Sequence, residues 1–461
     1  MTITTAQEHG PYAGYYHRDV PAEDGDLTHV GPGTPGGEYL RRFWHPVGKA
    51  SELLDLPRRI RILGEDLVLF RDGSGAVGLL ALHCAHRGTS LEYGMIERQG
   101  IRCCYHGWLY GVDGRVLETP GEPPESTLKN RFYHGAYPTH EYKGLVFAYL
   151  GPPERRPAFP IYDTFELPGY RLVPTGGFDE RNIYTCNWIQ IKENAMDPLH
   201  RLHLHDLEEA RAALARYRPS ASGASLDTWL EDGLDYWQRE VAAIASDIRV
   251  MEWQETPTGM IYIYTRRLGD MVWVRISDFI PPNIHQFGVQ DEAQDEVVMQ
   301  RPAMTHWTVP IDDTHTTVFG FRHAAEVQER RLRDTRPGLR GSDSLDRPYE
   351  VRQREPGDYE AQESQRPIAV HALEHLTSGD RGIIMVRKLI RDGINAVRQG
   401  GEPGRPTARP GELIPTHSQN TILRMPRRDD PAEERELLRQ TGRRVAAGEV
   451  RDSLAAHTGE G

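Results

Sequence analysis

The chain has 461 residues and a net charge of −12, with 55 Lys and Arg against 67 Asp and Glu, and contains four cysteines. That length exceeds one ordinary core and predicts roughly two or three domains, and the negative balance argues against nucleic acid as a partner. Four cysteines are too few for a disulfide framework; no basic-then-apolar leader opens the chain and no run approaches the roughly eighteen apolar residues of a membrane span, so the expectation is a cytoplasmic protein with no membrane partner.

Residues 1–38 are rich in Gly, Pro and acidic side chains and read as an N-terminal arm, with GPGTPGGEY as a breaker cluster and packing expected from about Tyr39. Residues 39–155 offer short apolar or alternating runs, RILGEDLVLF, AVGLLAL, IRCCYHGWLYG and GLVFAYLG, separated by turn signals such as DGSG and VDG. These predict a small all-β domain. A Pro-rich connection, GPPERRPAFP, leads into residues 156–461. There, residues 187–217 read as largely helical, while GMIYIYTRRL, DMVWVRISDFI, EVVMQR and HTTVFGFRH read as antiparallel strands. A further helical block follows a polar loop at 326–357, and DDPAEERELLRQTGRRVAA predicts a surface helix near the end. The fold class is α+β.

The chemistry concentrates in two places. Cys84-Ala-His86 and Cys103-Cys104-Tyr105-His106 are separated by sixteen residues, and each half sits at the end of a strand-like run and is followed by glycine. Two loops carrying one Cys/His pair each suit a [2Fe–2S] cluster with two thiolates on one iron and two imidazoles on the other, an arrangement that raises the potential and serves one-electron transfer. Arg87-Gly88 and Gly107-Trp108 would let backbone approach the cluster, and Val112-Asp113-Gly114 would turn a hairpin. A Cys2His2 zinc site uses the same ligand types, but such sites usually pair Cys with Cys and His with His. The two-residue gap before His106 favours Cys103 over Cys104 as the ligand, while His83 and Cys186 read as structural.

CAHRGTS with CCYHGWLY resembles the Rieske domain of aromatic-ring oxygenases, whose second loop commonly has proline where Cys104 stands. Thr89 and Tyr105 occupy the positions of the extra disulfide of respiratory Rieske proteins, so that subclass is disfavoured.

The second concentration is NWIQIKENAMDPLHRLHLHD at 187–206. Iron that binds O2 without haem uses two His and one carboxylate on one face. Helical spacing alone pairs His200 with His203, because positions three apart share a face. The string Asn-Ala-Met-Asp-Pro-Leu-His with a second His four residues later is similar to the phthalate-dioxygenase-like branch of Rieske oxygenases, and that resemblance implies His200 and His205 as iron ligands. It also implies Asp358, in GDYEAQES, as the third ligand, although an acid at a helix start is common for dipole reasons alone. The same resemblance gives Asp197 the role of coupling an iron-ligand His to a cluster His of the adjacent subunit, and places Asn194 near the iron; by itself Asp197 before Pro198 reads as a helix cap.

Taken together, the resemblance implies an N-terminal all-β Rieske domain and a C-terminal helix-grip-like catalytic domain, an antiparallel sheet closed by helices. It further implies one [2Fe–2S] cluster and one mononuclear Fe(II) per chain, a head-to-tail homotrimer, and O2 with a small, mainly aromatic substrate. No GxGxxG fingerprint or flavin site is visible, so a separate NAD(P)H-dependent flavin/iron–sulfur reductase is the expected electron donor. A plain electron carrier or binding protein would explain only the first constellation and a zinc-stabilised module only its ligand types.

Overall fold

The protein is described from a computed structural model over residues 11–178, 182–200, 204, 249–268, 271–288, 298–300, 304–325, 348–354, 356–404 and 411–449. His203 and His205, the 206–226 segment and the final HTGEG lie outside these residues.

The N-terminal half is all β. A three-stranded sheet pairs Trp44–Lys49 and Thr139–Tyr142 on either side of Leu145–Tyr149. A second sheet runs Arg58–Ile62, Glu65–Arg71, Val77–Ala81 and Ala136–Tyr137, and a third, of four short strands between Met95 and Glu118, lies between the two Cys/His loops and beyond. The hairpin from Ile62 to Glu65 turns on Leu63 and Gly64, both at positive φ (49° and 78°). That is the twist a two-residue hairpin favours, and it is costly for a leucine. Leu63 is fully buried and its N–H donates to the Pro310 carbonyl at 3.0 Å, so docking onto the second domain offsets the local strain.

The C-terminal half is built on one antiparallel sheet of ten described strands. Its long members are Tyr170–Gly176, Arg249–Thr256, Gly259–Leu268, Met271–Ile280, Met304–Pro310 and Thr316–Ala325. All ten residues of Met271–Ile280 are buried, because both faces are covered. Helices, numbered along the chain, are α1 (Gly25–Thr28), α2 (Pro35–Leu40), α3 (Trp188–Asn194), α4 (Tyr349–Arg354), α5 (Asp358–Glu363), α6 (Arg381–Arg398) and α7 (Pro431–Ala446). The four strand runs expected from sequence are all present.

Three expectations need correction. Packing begins at Leu27 and Val30, both fully buried, rather than near Tyr39. The acidic residues of that segment clip it to α6, through Asp24–Arg391 and Asp26–Arg398 ion pairs. Within the described part of the helix expected over 187–217, the helix stops at Asn194, since Asp197-Pro198 cannot continue it; residues 201–203 and 205–217 lie outside the described residues. The block after residue 357 is broken into α5, a 3-10 turn at His371–Leu373 and α6, with Pro367 in the gap. The tail helix α7 is present but only half a surface helix: Leu438 and Val445 pack on Val272, Val274 and Ile276, and Arg267 meets Glu434 at 2.6 Å with both side chains buried. Among the described residues no helix is long and apolar enough to cross a membrane.

His45 shows how the two halves are joined. It is fully buried, Nε2–H donates to the Leu40 carbonyl at 2.8 Å, and Nδ1 accepts from Asn283 Nδ2 at 3.3 Å. Burial holds its pKa down to about 4, against an ordinary 6.5. Above pH 6.5 both folded and unfolded chains leave it neutral; as pH falls toward 4 the unfolded chain takes up a proton that the folded one refuses, so stability is lost across that window and levels off below it. At about 1.4 kcal/mol per pH unit, the loss from this site between pH 6.5 and 5 is about 2 kcal/mol. Thermal melting of wild type and His45→Gln over that range is expected to show a flatter profile for the variant.

Candidate functional site: two groups of ligand-type side chains

The first group sits at the tips of two glycine-turned loops. Each loop closes in the same way: Cys84 N–H donates to Thr89 O and Gly88 N–H to Cys84 O, while Cys103 N–H donates to Trp108 O and Gly107 N–H to Cys103 O, at 2.8 to 3.1 Å. Gly88 and Gly107 take φ of 78° and 73°, a turn that a side chain would strain. The result is a graded site. Cys84 and Cys103 are buried among Val68, Leu82, Leu91, Ile101 and Trp108, whereas His86, His106 and Cys104 are exposed. The cysteine facing Cys84 is therefore Cys103, with Cys104 turned outward.

The His86 and His106 rings lie 4.5 Å apart, and His86 stacks on Trp108 at 4.8 Å with the planes 1° apart. Cys84 Sγ is 3.0 Å from Tyr110 Oη. Burial pushes the Cys103 thiol up, and the neighbouring Cys84 sulfur adds to it. The buried Cys103 sulfur is thus favoured as a thiolate beside a cation. Desolvation, then the charges of His86 and Arg87, pull His106 down and keep it neutral, which is the ligating form. All four cysteines of the chain are free. Two buried thiols behind two outward imidazoles fit a Rieske-type cluster. His83 is exposed with Nδ1 3.0 Å from Gly88 O, and Cys186 is a fully buried core thiol.

The second group forms where α3 ends. Asn194 Nδ2 donates to Asp358 Oδ1 at 3.2 Å, joining the last residue of α3 to the first of α5. Beyond the helix stop, His200 Nδ1 donates to the Asp197 carbonyl at 2.5 Å, which makes Nε2 the unprotonated nitrogen of the neutral ring, 3.8 Å from Asp358 Oδ1. Donor atoms at that separation can share one ion with bonds of about 2.0–2.2 Å. Asp197 turns its Oδ1 to the Leu199 N–H at 2.8 Å, and its Oδ2 is 3.9 Å from His200 Nδ1. Burial pushes the Asp197 carboxyl up, against the hydrogen bonds from Leu199 and His200. Asn194, Asp197, His200 and Asp358 are thus brought together, while His205 lies outside the described residues.

Sequence reasoning passed over three more residues here. Lys192 on α3 is 1% exposed. His285 and His306 are register partners on neighbouring strands, deep in the domain yet retaining some accessible surface. No signal for any of them stands in the sequence: Lys192 sits among the polar Gln190, Glu193 and Asn194 of NWIQIKEN, and the partnership of the histidines depends on strand register.

Glu193, His371 and Glu374 also place ligand atoms within 4.8 Å of one another. Arg387 already fills that place. Its Nε and Nη2 reach Glu193 at 2.5 and 2.8 Å, and its Nη1 and Nη2 reach Glu374 at 2.5 and 2.8 Å. The cluster is an arginine bracket tying α3 to α6.

A family model described as the Rieske [2Fe-2S] domain matches residues 43–138. The oxygenase subunit of a tert-butanol monooxygenase / tert-amyl alcohol desaturase from Aquincola tertiaricarbonis is 41% identical, over 96% of this chain and 93% of that protein. Subunit alpha of a phenoxybenzoate dioxygenase from Ectopseudomonas oleovorans is 35% identical, over 85% of this chain and 90% of that one. Among solved structures, a QL mutant of NdmA from Pseudomonas putida CBB5 with caffeine superimposes with a TM-score of 0.54 at 19% identity, covering 80% of this chain and 96% of that chain, a likeness of fold.

The arginine bracket carries its own test. Arg387→Met leaves two carboxylates facing each other in a partly buried site and is expected to cost on the order of 3–5 kcal/mol. Denaturation of Arg387→Met beside Arg387→Met/Glu193→Gln should show part of that loss recovered in the double variant.

Proposed function

This chain belongs to the Rieske non-haem iron oxygenases as an oxygenase component, and on that footing we propose how its residues divide the work. Cys84 and Cys103 with His86 and His106 hold the [2Fe–2S] cluster, and His200, His205 and Asp358 hold a mononuclear Fe(II). When bound, the cluster supplies single electrons and the iron supplies O2 activation.

The observation that carries this reading is the meeting of His200 Nε2 with Asp358 Oδ1 at 3.8 Å, from segments some 160 positions apart, with Asn194 holding the carboxylate in place. Asn194 directs one oxygen of that carboxylate. The Asp197 carbonyl fixes the His200 tautomer by accepting from Nδ1, an outer-shell hydrogen bond of the kind that orients metal-bound histidines. The Asp197 carboxylate, 3.9 Å from the same ring, offers a path toward a histidine presented by another subunit. His86 and His106, exposed at their loop tips, suit such a presentation in a head-to-tail homotrimer. Electrons come from a separate NAD(P)H-dependent reductase, and the reaction is hydroxylation or oxidative demethylation of a small organic substrate, with aromatic compounds the first class to screen.

Protein purified anaerobically is expected to contain about three irons and two acid-labile sulfides per chain. Asp358→Ala should retain the sulfide and about two irons; Cys103→Ser should lose sulfide and visible colour, and Cys104→Ser should keep both. Asp197→Asn should keep all the iron and lose about 10–100-fold in turnover or more. Zinc without sulfide in the wild type would overturn the assignment.

A further inference from the structure

Between the end of α3 at Asn194 and His200 lie five residues that form neither helix nor strand. Their hydrogen bonds run almost entirely within the turn and the helix end before it. Met196 N–H donates to Glu193 O, Asp197 N–H to Asn194 O, Leu199 N–H to Asp197 Oδ1, and His200 Nδ1 to the Asp197 carbonyl. Such a turn keeps its own shape but does not fix where it lies. Among the described residues, one hydrogen bond reaches residues 195–199 from outside α3 and His200: Trp253 Nε1 donates to the Met196 carbonyl at 3.1 Å.

Trp253 stands on Arg249–Thr256, the last described strand of the large sheet, opposite Tyr262. The second residue of α6, Gly382, presses on the same bond: a Cβ there would lie 2.3 Å from Trp253 Nε1 and 2.4 Å from Met196 O. Only glycine fits that gap, so sheet, helix and turn meet at one carbonyl. Gly379 packs in the same way, since its Cβ would lie 2.5 Å from Leu199 Cδ1. Packing against two glycines keeps the turn from moving into α6 but holds it in no direction along the helix surface. The indole N–H supplies that direction. One peptide unit separates the Met196 carbonyl from Asp197, whose own carbonyl accepts from His200 Nδ1, and Nε2 of that ring lies 3.8 Å from Asp358 Oδ1. A displaced Met196 therefore changes the spacing of two ligand atoms whose bonds to a metal are about 2.0–2.2 Å long. Phenylalanine would fill the half-buried place of Trp253 and leave the carbonyl unheld.

We propose that Trp253 is a positioning residue of the mononuclear iron site: its indole N–H holds the Met196 carbonyl, and through Asp197 sets where His200 stands relative to Asp358. The affinity of the site for Fe(II) and the geometry of its ligands then depend on one hydrogen bond from the sheet. This deepens the oxygenase reading, since it rests on His200 and Asp358 as iron ligands, and metal binding tests it without turnover.

Reduced holoenzyme is treated with nitric oxide as a probe of the mononuclear iron, and Fe(II) is withdrawn with graded chelator. Wild type is compared with Trp253→Phe and with protein carrying 3-benzothienylalanine in place of Trp253, which keeps the shape of the indole and lacks its N–H. Both replacements are expected to raise the Kd for Fe(II) roughly tenfold or more and to change the nitrosyl EPR line shape, while the reduced cluster signal per sulfide keeps its wild-type value. A merely structural tryptophan would lower the melting temperature and leave both iron readouts alone. Unchanged affinity and line shape in the isostere overturn the assignment and leave the oxygenase reading standing, and loss of iron and cluster in equal proportion overturns it as well. Wild type without a nitrosyl signal is a separate failure, that of the iron ligands themselves. Should Trp253→Phe fail to fold, the isostere, which fills the same volume, decides.

Discussion

A helix of seven residues cannot hold itself in water, and the catalytic half depends on one that size being immobile. Helix α3 is made rigid from outside. Trp188 and Ile189 are fully buried, and the polar side chains around them reach the N-terminal segment, the loop at Asp313, α5, the segment at Ala369 and α6. Directional bonds to five different segments leave the helix one position, so the residues that follow its end inherit that position too. His200 reaches Asp358 because Asp197-Pro198 turns the chain off the helix axis within one turn of Asn194.

The cluster loops achieve order differently, through backbone alone. Two loops of the same geometry, each closed by two main-chain hydrogen bonds around a positive-φ glycine, put sulfur inward and imidazole outward. Charge stabilisation and electronic access are then separated by depth: the thiolate end lies in apolar surroundings, and the imidazole edge meets whatever comes to the surface. Trp108, flat against His86, keeps that ring from rotating without using either of its nitrogens.

Much of this was legible in the residues. The Cys/His pairs announce themselves because ligand identity is written in side-chain type, and spacing already singled out Cys103, the buried one of its pair. The strands of the catalytic sheet follow from alternation. What stayed hidden depends on pairing across long separations. His285 and His306 become neighbours only through the register of Ile284–Phe287 with Met304–Trp307, which no local pattern encodes. Leu27 and Val30 sit among turn-forming residues that read as an arm, and only tertiary packing makes them core. Local pattern likewise carried the helix from Asn194 on through residue 200, where the Asp-Pro step has already ended it. The choice between His203 and His205 rests on family resemblance, since both fall outside the described residues.

The order of strands in the large sheet has a consequence for synthesis. The N-terminal sheets pair strands that are all made before residue 150, so both cysteine loops can close while the ribosome is still at work on the remainder. The catalytic sheet has no such independence. Its most buried strand, Met271–Ile280, takes Gln419–Arg424 as a neighbour, and the face beyond is capped by α7. Until those late residues emerge, a strand that is fully buried in the finished fold lacks a partner along much of one edge, the state in which nascent chains recruit chaperones or one another. The electron-transfer module is thus finished early, and the oxygen-handling module is the last to fold.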